Sequence, residues 1–231
     1  QPGLRLLLTH GTATGLEAGR SLLREGDAQA WLPYDVPGAA RRFLDHHRPL
    51  LGLLMETEVW PALQQSAAQR GVPIVLVNAR LSERSLRQGQ RLRALMQPAA
   101  RSLILALAQT EADAVRLRAM GVSRVEACGN LKFDMTPPEA LMAQGQAWRV
   151  QWQGGPARPV VLAASTREGE EAPLLAAWRS LPAPRPLLLL VPRHPQRFDE
   201  VAALMRSDGW SLLRRSSWGQ TPPPMAGDVD V

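Results

Sequence analysis

Short apolar runs alternate with stretches of helical period along almost the whole chain, and this alternation limits the fold more than any other feature. The apolar runs read as strands at Leu4–Thr9, Ala30–Leu32, Leu50–Met55, Ile74–Val77, Leu103–Ala108 and Arg124–Ala127, then at Val160–Ala164, Leu187–Val191 and Ser211–Arg214. Between them Val36–His46, Trp60–Arg70, Glu83–Met96, Glu111–Met120 and Glu168–Leu181 repeat their apolar residues at helical spacing. Gly71 and Gly121 stand where helices should stop, because a left-handed C-cap is least strained as glycine. Strands that are apolar throughout predict burial on both faces. Strand–helix alternation then predicts an α/β fold, with parallel sheets built from right-handed crossovers.

The alternation breaks between Met135 and Pro159. Thr136-Pro137-Pro138 opens the break, a Gln/Trp-rich amphipathic helix fills it, and Gly154-Gly155-Pro156 closes it. Three segments follow: a first lobe over 1–135, a linker over 136–158 and a second lobe over 159–231. Six strands precede the break and three or four follow, so the second lobe is expected to be incomplete. The first residue is Gln1, and the chain stops inside what reads as a further strand, Asp228–Val231. Both ends are therefore expected to be truncated.

Composition narrows the function classes. No apolar run approaches the ~18 residues of a membrane-spanning helix. The single cysteine, Cys128, excludes an intramolecular disulfide framework and is expected to be a small buried residue. With His10, His46, His47 and His194 it forms no metal-ligand spacing. The chain carries 27 basic and 21 acidic residues, a net charge of +6. Such a balance reflects either an arginine-rich coding habit or an anionic partner such as phosphate, nucleic acid or acidic lipid. All but one of the basic residues are arginine, and the exception is Lys132. An ammonium approaches a single oxygen more compactly than a guanidinium does, so this lysine is a candidate functional group.

In open α/β sheets, ligands bind beyond the carboxyl ends of the strands, and the unusual residues of this chain stand there. Leu50–Met55 runs into Glu56-Thr57-Glu58, which either caps the next helix through Thr57 and Glu58 or offers Glu56 to a reaction. Ile74–Val77 runs into Asn78-Ala79-Arg80-Leu81-Ser82, where Ser82 is an expected N-cap and Arg80 either faces a cleft or pairs with an acid. Lys132 follows Arg124–Ala127, and a salt bridge to Asp134 is its structural alternative. After Val160–Ala164 come Ser165 and Thr166, either helix caps or anion ligands at a helix start. Leu187–Val191 leads to Pro192-Arg193-His194-Pro195, where prolines restrain an arginine suited to phosphate. The chain has no Gly-x-Gly-x-x-Gly, no Walker Gly-Lys-Ser/Thr and no nucleophile triad.

Six motifs in one order carry a family resemblance: Leu32-Pro33-Tyr34-Asp35, Met55-Glu56-Thr57-Glu58-Val59-Trp60-Pro61, Asn78-Ala79-Arg80-Leu81-Ser82, Gly129-Asn130-Leu131-Lys132-Phe133-Asp134, Ser165-Thr166-Arg167-Glu168-Gly169-Glu170-Glu171 and Val191-Pro192-Arg193-His194-Pro195. Together they resemble the 3-deoxy-D-manno-octulosonic acid (Kdo) transferases of Gram-negative lipopolysaccharide synthesis. The resemblance implies a GT-B fold of two Rossmann-like lobes, the first on the acceptor side and the second binding the nucleotide sugar. It implies a metal-independent, inverting transfer of Kdo from CMP-Kdo to a lipid A precursor at the cytoplasmic face of the inner membrane, with no cofactor. Glu56 and Lys132 match the residues assigned to transition-state stabilisation, and Pro192 and Arg193 match the CMP contacts, with Ser165 and Thr166 beside them. The family's membrane anchor and general-base glutamate would lie before Gln1, and further nucleotide-site segments after Val231. Val59 replaces the usual Leu and Ala13 a common Pro. Two other readings stand beside this one. The first is a GT-B transferase using another nucleotide sugar. The second is a non-catalytic basic module for acidic lipid or nucleic acid. Nucleic acid is the less expected partner, because Trp148 and Trp152 suit a helix face better than a base-stacking sheet.

Overall fold

A computed structural model of the chain describes residues 3–152 and 158–218. The Gly154-Gly155-Pro156 linker, the Asp228–Val231 strand and the side chain of Trp152 lie outside the described residues. The chain forms two units, Gln1–Met135 and Thr136–Val231.

The first unit holds two parallel sheets. In one, β1 (Leu7–His10) pairs with β2 (Ala28–Trp31), and α1 (Ala13–Gly19) makes the crossover. In the other, the strands follow chain order as β3 (Gly52–Met55), β4 (Ile74–Ala79), β5 (Leu103–Ala108) and β6 (Val125–Ala127). Helix α2 (Pro37–His47) leads into β3, and α3 (Pro61–Gln69) crosses from β3 to β4. α4 (Glu83–Arg91) and α5 (Arg93–Ser102) cross to β5, and α6 (Glu111–Met120) crosses to β6. Leu44, Leu54, Leu63, Leu76, Leu103 and Leu117 form the centre of its core, with alanines wherever helix and sheet approach most closely. Each fully buried leucine of this kind contributes about 2 kcal/mol of burial free energy.

The second unit contains α7 (Glu139–Trp152), β7 (Val160–Thr166), α8 (Glu171–Arg179), β8 (Leu187–Pro192) and α9 (Phe198–Ser207). β7 and β8 pair in parallel from Val160 opposite Leu187 onward. Its separate core is built from Leu175, Trp178, Leu188, Val201, Met205 and Trp210. Trp148 of α7 lies edge-on to Trp218 at 5.8 Å. Among the described residues no helix is long and apolar enough to cross a membrane.

The structure corrects several expectations. The single helix expected over Glu83–Met96 breaks at Leu92, because its halves serve different neighbours. Gly89 of α4 lies against Met120 of α6, while the Ala99 carbonyl of α5 accepts from the buried Gln64 of α3. Helices α1 and α9 lie outside the stretches that the periodicity picks out. Ser211–Arg214 is irregular instead of a strand: the Trp210 N–H turns back to the Met205 carbonyl, and Leu212 packs on the core from a non-ladder conformation. Burial on both faces fails for Leu53, Ile104 and Leu162, which are exposed. Leu53 lies on an edge strand, and β7 has only β8 beside it among the described residues. Gly121 closes α6 at φ 112°, the left-handed stop that its sequence position predicts.

Candidate functional site

Glu56 stands one residue beyond β3. Its backbone is left-handed, φ 53°, which a non-glycine residue adopts only at a cost of about 1–2 kcal/mol. The helix that follows is capped without it. Asp35 Oδ1 accepts from the Leu63 N–H at 2.9 Å, and Gln64 Oε1 accepts from the Trp60 N–H at 2.9 Å. Helix α3 begins at Pro61, so Thr57 and Glu58 do not cap it. The carboxylate of Glu56 is left partly exposed at the sheet edge, with Arg80 Nε 3.9 Å from its Oε2. The Arg80 N–H also donates to the Glu56 carbonyl at 3.3 Å. Of the two readings left open for Arg80, pairing with a neighbouring acid is the one observed.

The loop that carries Arg80 is braced from α6. Asp113 Oδ1 accepts from the Leu81 N–H and from Arg116 Nη2, both at 2.9 Å, and Arg116 Nε donates to the Leu81 carbonyl. Burial of Asp113 raises its pKa, but the Thr110 hydroxyl, the Leu81 N–H and Arg116 outweigh it and hold the carboxyl below its usual value. Ser82 caps α4 by accepting from the Ser85 N–H at 3.1 Å, as expected.

Lys132 lies in a 3-10 turn, Leu131–Asp134, that follows β6. Sheet order separates β6 from β4 by two strand spacings, about 10 Å. Yet the Leu131 N–H donates to Asn78 Oδ1 of β4 at 3.2 Å. The turn therefore folds back over the end of β5 far enough to meet the side chain of Asn78, on the strand beside β3. Asn78 is buried and left-handed, φ 52°. It occupies a bulge: Leu76 and Ala79 of β4 face Ala106 and Ala108 of β5, so β4 has one extra residue there. Lys132 is exposed, and among the described residues no ion pair joins it to Asp134. Cys128, expected to be buried, is exposed one residue beyond the short edge strand β6.

In the second unit the same kind of edge appears. Ala164 and Thr166 of β7 face Val191 and Pro192 of β8, and Ser165 bulges between them at φ 62°. The Arg193 N–H donates to the Thr166 carbonyl at 2.8 Å, which brings Ser165, Thr166, Pro192 and Arg193 together. Ser165 and Arg193 are exposed, whereas Thr166 is buried beside Glu171. Neither hydroxyl caps a helix, since α8 begins only at Glu171 and Glu170 takes the Arg167 N–H at 2.8 Å. Glu171, 2% exposed, receives Arg197 through two bonds of 2.9 and 3.2 Å. Burial raises its pKa, and the two bonds from Arg197, with the Thr166 hydroxyl nearby, more than offset that and lower it. His194 is exposed.

Asp35, Gln64, Gln109, Glu171 and Arg197 hold these loops; Asp35 and Glu171 end two of the six motifs, but the sequence assigns a role to none of the five. Gln109 had a usable signal, because it is the polar residue between the apolar run of β5 and the N-cap Thr110.

Comparison with known proteins bears on both units. A family model described as 3-deoxy-D-manno-octulosonic-acid transferase (kdotransferase) matches residues 1–135. A 3-deoxy-D-manno-octulosonic acid transferase of Bordetella pertussis is 48% identical over 232 residues, spanning 96% of this chain and 53% of that protein. One of Haemophilus influenzae is 34% identical over 220 residues, spanning 94% of this chain and 51% of that protein. The chain thus spans about half the length of the curated relatives it matches. Among solved structures, UDP-GlcNAc 2-epimerase from Neisseria meningitidis bound to UDP-GlcNAc superposes with a TM-score of 0.52 at 15% identity. That match covers 88% of this chain and 61% of the epimerase, a likeness of fold alone. The fold is α/β of GT-B type, with parallel sheets in each of two Rossmann-like units.

Proposed function

Since the chain belongs to the 3-deoxy-D-manno-octulosonic-acid transferase family, we propose that it forms part of an enzyme moving Kdo from CMP-Kdo to a lipid A precursor. The transfer inverts the anomeric centre and needs no metal ion. It takes place at the cytoplasmic face of the inner membrane, where the positive charge of the chain favours acidic lipid. Unit 1 serves the acceptor side and unit 2 holds the nucleotide.

The observation that carries this reading is the convergence at the edge of one sheet. Glu56 is free of capping duty, in a strained backbone, while the Lys132 turn reaches back over the neighbouring strand. Breaking the ketosidic C–O bond to phosphate builds positive charge on the sugar and negative charge on the departing CMP. A carboxylate and an ammonium preorganised on one edge oppose both charges, and groups of this kind are worth about 3–4 kcal/mol each in a dry site. Arg193, with Pro192, Ser165 and Thr166 shaping its segment, holds the CMP phosphate. The proton of the attacking hydroxyl goes to the general-base glutamate that the family resemblance puts ahead of residue 1.

The test is transfer by the complete reading frame that encodes this chain, offered CMP-Kdo or UDP-sugars with a lipid A precursor. Transfer from CMP-Kdo alone, lost in Glu56→Ala and Lys132→Ala, is the expected result. Transfer from a UDP-sugar instead rejects the donor. Tight, salt-sensitive binding of acidic lipid without any transfer rejects the enzyme.

A further inference from the structure

The turn that carries Lys132 is not held by packing. None of its residues is buried, and Phe133 is 88% exposed. Beneath it lies a cavity of about 180 Å³, lined by Val77, Asn78, Leu107, Cys128 and Asn130 among others. A segment with open space under it and solvent over it takes its position from hydrogen bonds.

One of them runs directly from the Leu131 N–H to Asn78 Oδ1, and the others meet at Gln109. Its Nε2 donates to the Asn78 carbonyl at 2.9 Å, and its Oε1 accepts from Asn130 Nδ2 at 3.1 Å. Asn130 Oδ1 in turn accepts from the Lys132 N–H at 3.0 Å. The backbone of Gln109 is itself fixed, since its N–H donates to the Ala79 carbonyl at 2.8 Å. One amide therefore ties the bulge of β4 to the start of the turn, and it uses its donor and its acceptor to do so. Glutamate keeps only the acceptor, and methionine, of similar length, keeps neither.

We propose that Gln109 is a positioning residue, whose side-chain amide bridges Asn78 and Asn130 and so holds the Lys132 turn across the sheet edge. The proposal rests on the reading above that Lys132 takes part in transfer. A misplacement of about 1 Å costs up to roughly 100-fold in rate, so loss of the bridge should lower kcat by about 10- to 100-fold. Arg193 and its segment in unit 2 are untouched, so KM for CMP-Kdo should change by less than about two-fold.

The experiment compares Gln109→Met, Gln109→Glu, Lys132→Ala and the double variant Gln109→Met/Lys132→Ala in the complete reading frame. Steady-state transfer from CMP-Kdo is measured together with amide hydrogen exchange at Leu131 and Lys132. The expected result has four parts: a kcat loss in both Gln109 variants, little change in KM, faster exchange at the two amides, and no further loss when Gln109→Met is added to Lys132→Ala. An unchanged kcat in folded Gln109→Met beside an inactive Lys132→Ala overturns this proposal and leaves the function standing. An equal loss with and without Lys132 overturns it too, since the role is then merely structural. If Gln109→Met fails to fold, Gln109→Glu decides by the same criteria. A fully active Lys132→Ala removes the reading of Lys132 and the proposal together.

Discussion

In unit 1 the Lys132 turn hangs on neutral amides, Asn78, Gln109 and Asn130, whereas in unit 2 the segment of Arg193 is braced by a charged pair, Glu171 and Arg197. The two edges otherwise match. Each has a bulged strand with a left-handed residue in the bulge, Asn78 in β4 and Ser165 in β7. Neutral amides give direction without a titrating group, so the unit 1 turn should keep its shape across a wide pH range. The charged pair sits in a tight place, holds more strongly, and depends on the protonation of one carboxylate. Similar bulges in the two units can thus be secured by different chemistry, and the units should fail under different conditions.

The largest expected effect lies on the unit 1 edge. Glu56→Ala and Lys132→Ala should each lower kcat by about 100- to 1,000-fold. Both side chains are at least partly exposed and support no core residue, so thermal melting should barely move. A marked loss of stability in either variant would break the comparison by making that edge structural. Next comes Glu171→Gln, which leaves the 15%-exposed Arg197 guanidinium with a weakened partner. The expected cost is about 2 kcal/mol, below the ~3–5 kcal/mol of a fully buried pair. Arg197 keeps Glu200 at 3.3 Å, which softens the loss. Calorimetry should show unit 2 melting earlier and CMP binding weakened.

The pH dependence sharpens the same contrast. The carboxyl of Glu171 is held below its ordinary value of 4.5, so its contribution is fully present above that value and fades as pH falls through the lower folded one. Denaturation curves of the native protein and of Glu171→Gln should therefore differ at pH 7 and converge in acid. Curves that stay parallel down to pH ~3 would remove Glu171 as the acid-sensitive brace. Asp113 titrates with the same sign, so Asp113→Asn should act likewise on the Arg80 loop of unit 1.

Much of this molecule is legible in its residues. The run Glu111–Met120 forms the expected helix to the residue, and Leu103–Ala108 the expected strand, because one face pattern and one cap settle each of them. Glu56 and Lys132, the proposed site residues, stand out in the sequence as charged residues that nothing in a strand–helix unit requires where they stand. What sequence hides is partnership across the sheet. Asp35 caps a helix 28 residues away and Asn78 binds an N–H 53 residues away, and no local period encodes either. Local spacing also allows Thr57 and Glu58 as caps, but the distant Asp35, together with Gln64 of the helix itself, takes the helix end.

The smallest effect tests what the two edges share. Glu56 at φ 53° and Ser165 at φ 62° both sit in a backbone region that favours glycine. Alanine at either position removes the proposed functional side chain and keeps the strain, while glycine removes both. Glycine is also freer in the unfolded chain, which offsets part of the relief. The glycine variant should still be the more stable of each pair by roughly 0.5–1 kcal/mol, a difference that paired denaturation curves can resolve. Glu56→Gly should nevertheless be as inactive as Glu56→Ala, and Ser165→Gly should weaken CMP binding a few-fold. A glycine variant less stable than its alanine counterpart would mean that the surrounding ladder bonds, not the site, impose the left-handed turn at no cost. The more stable but less active outcome would instead mark both positions as strain kept for function.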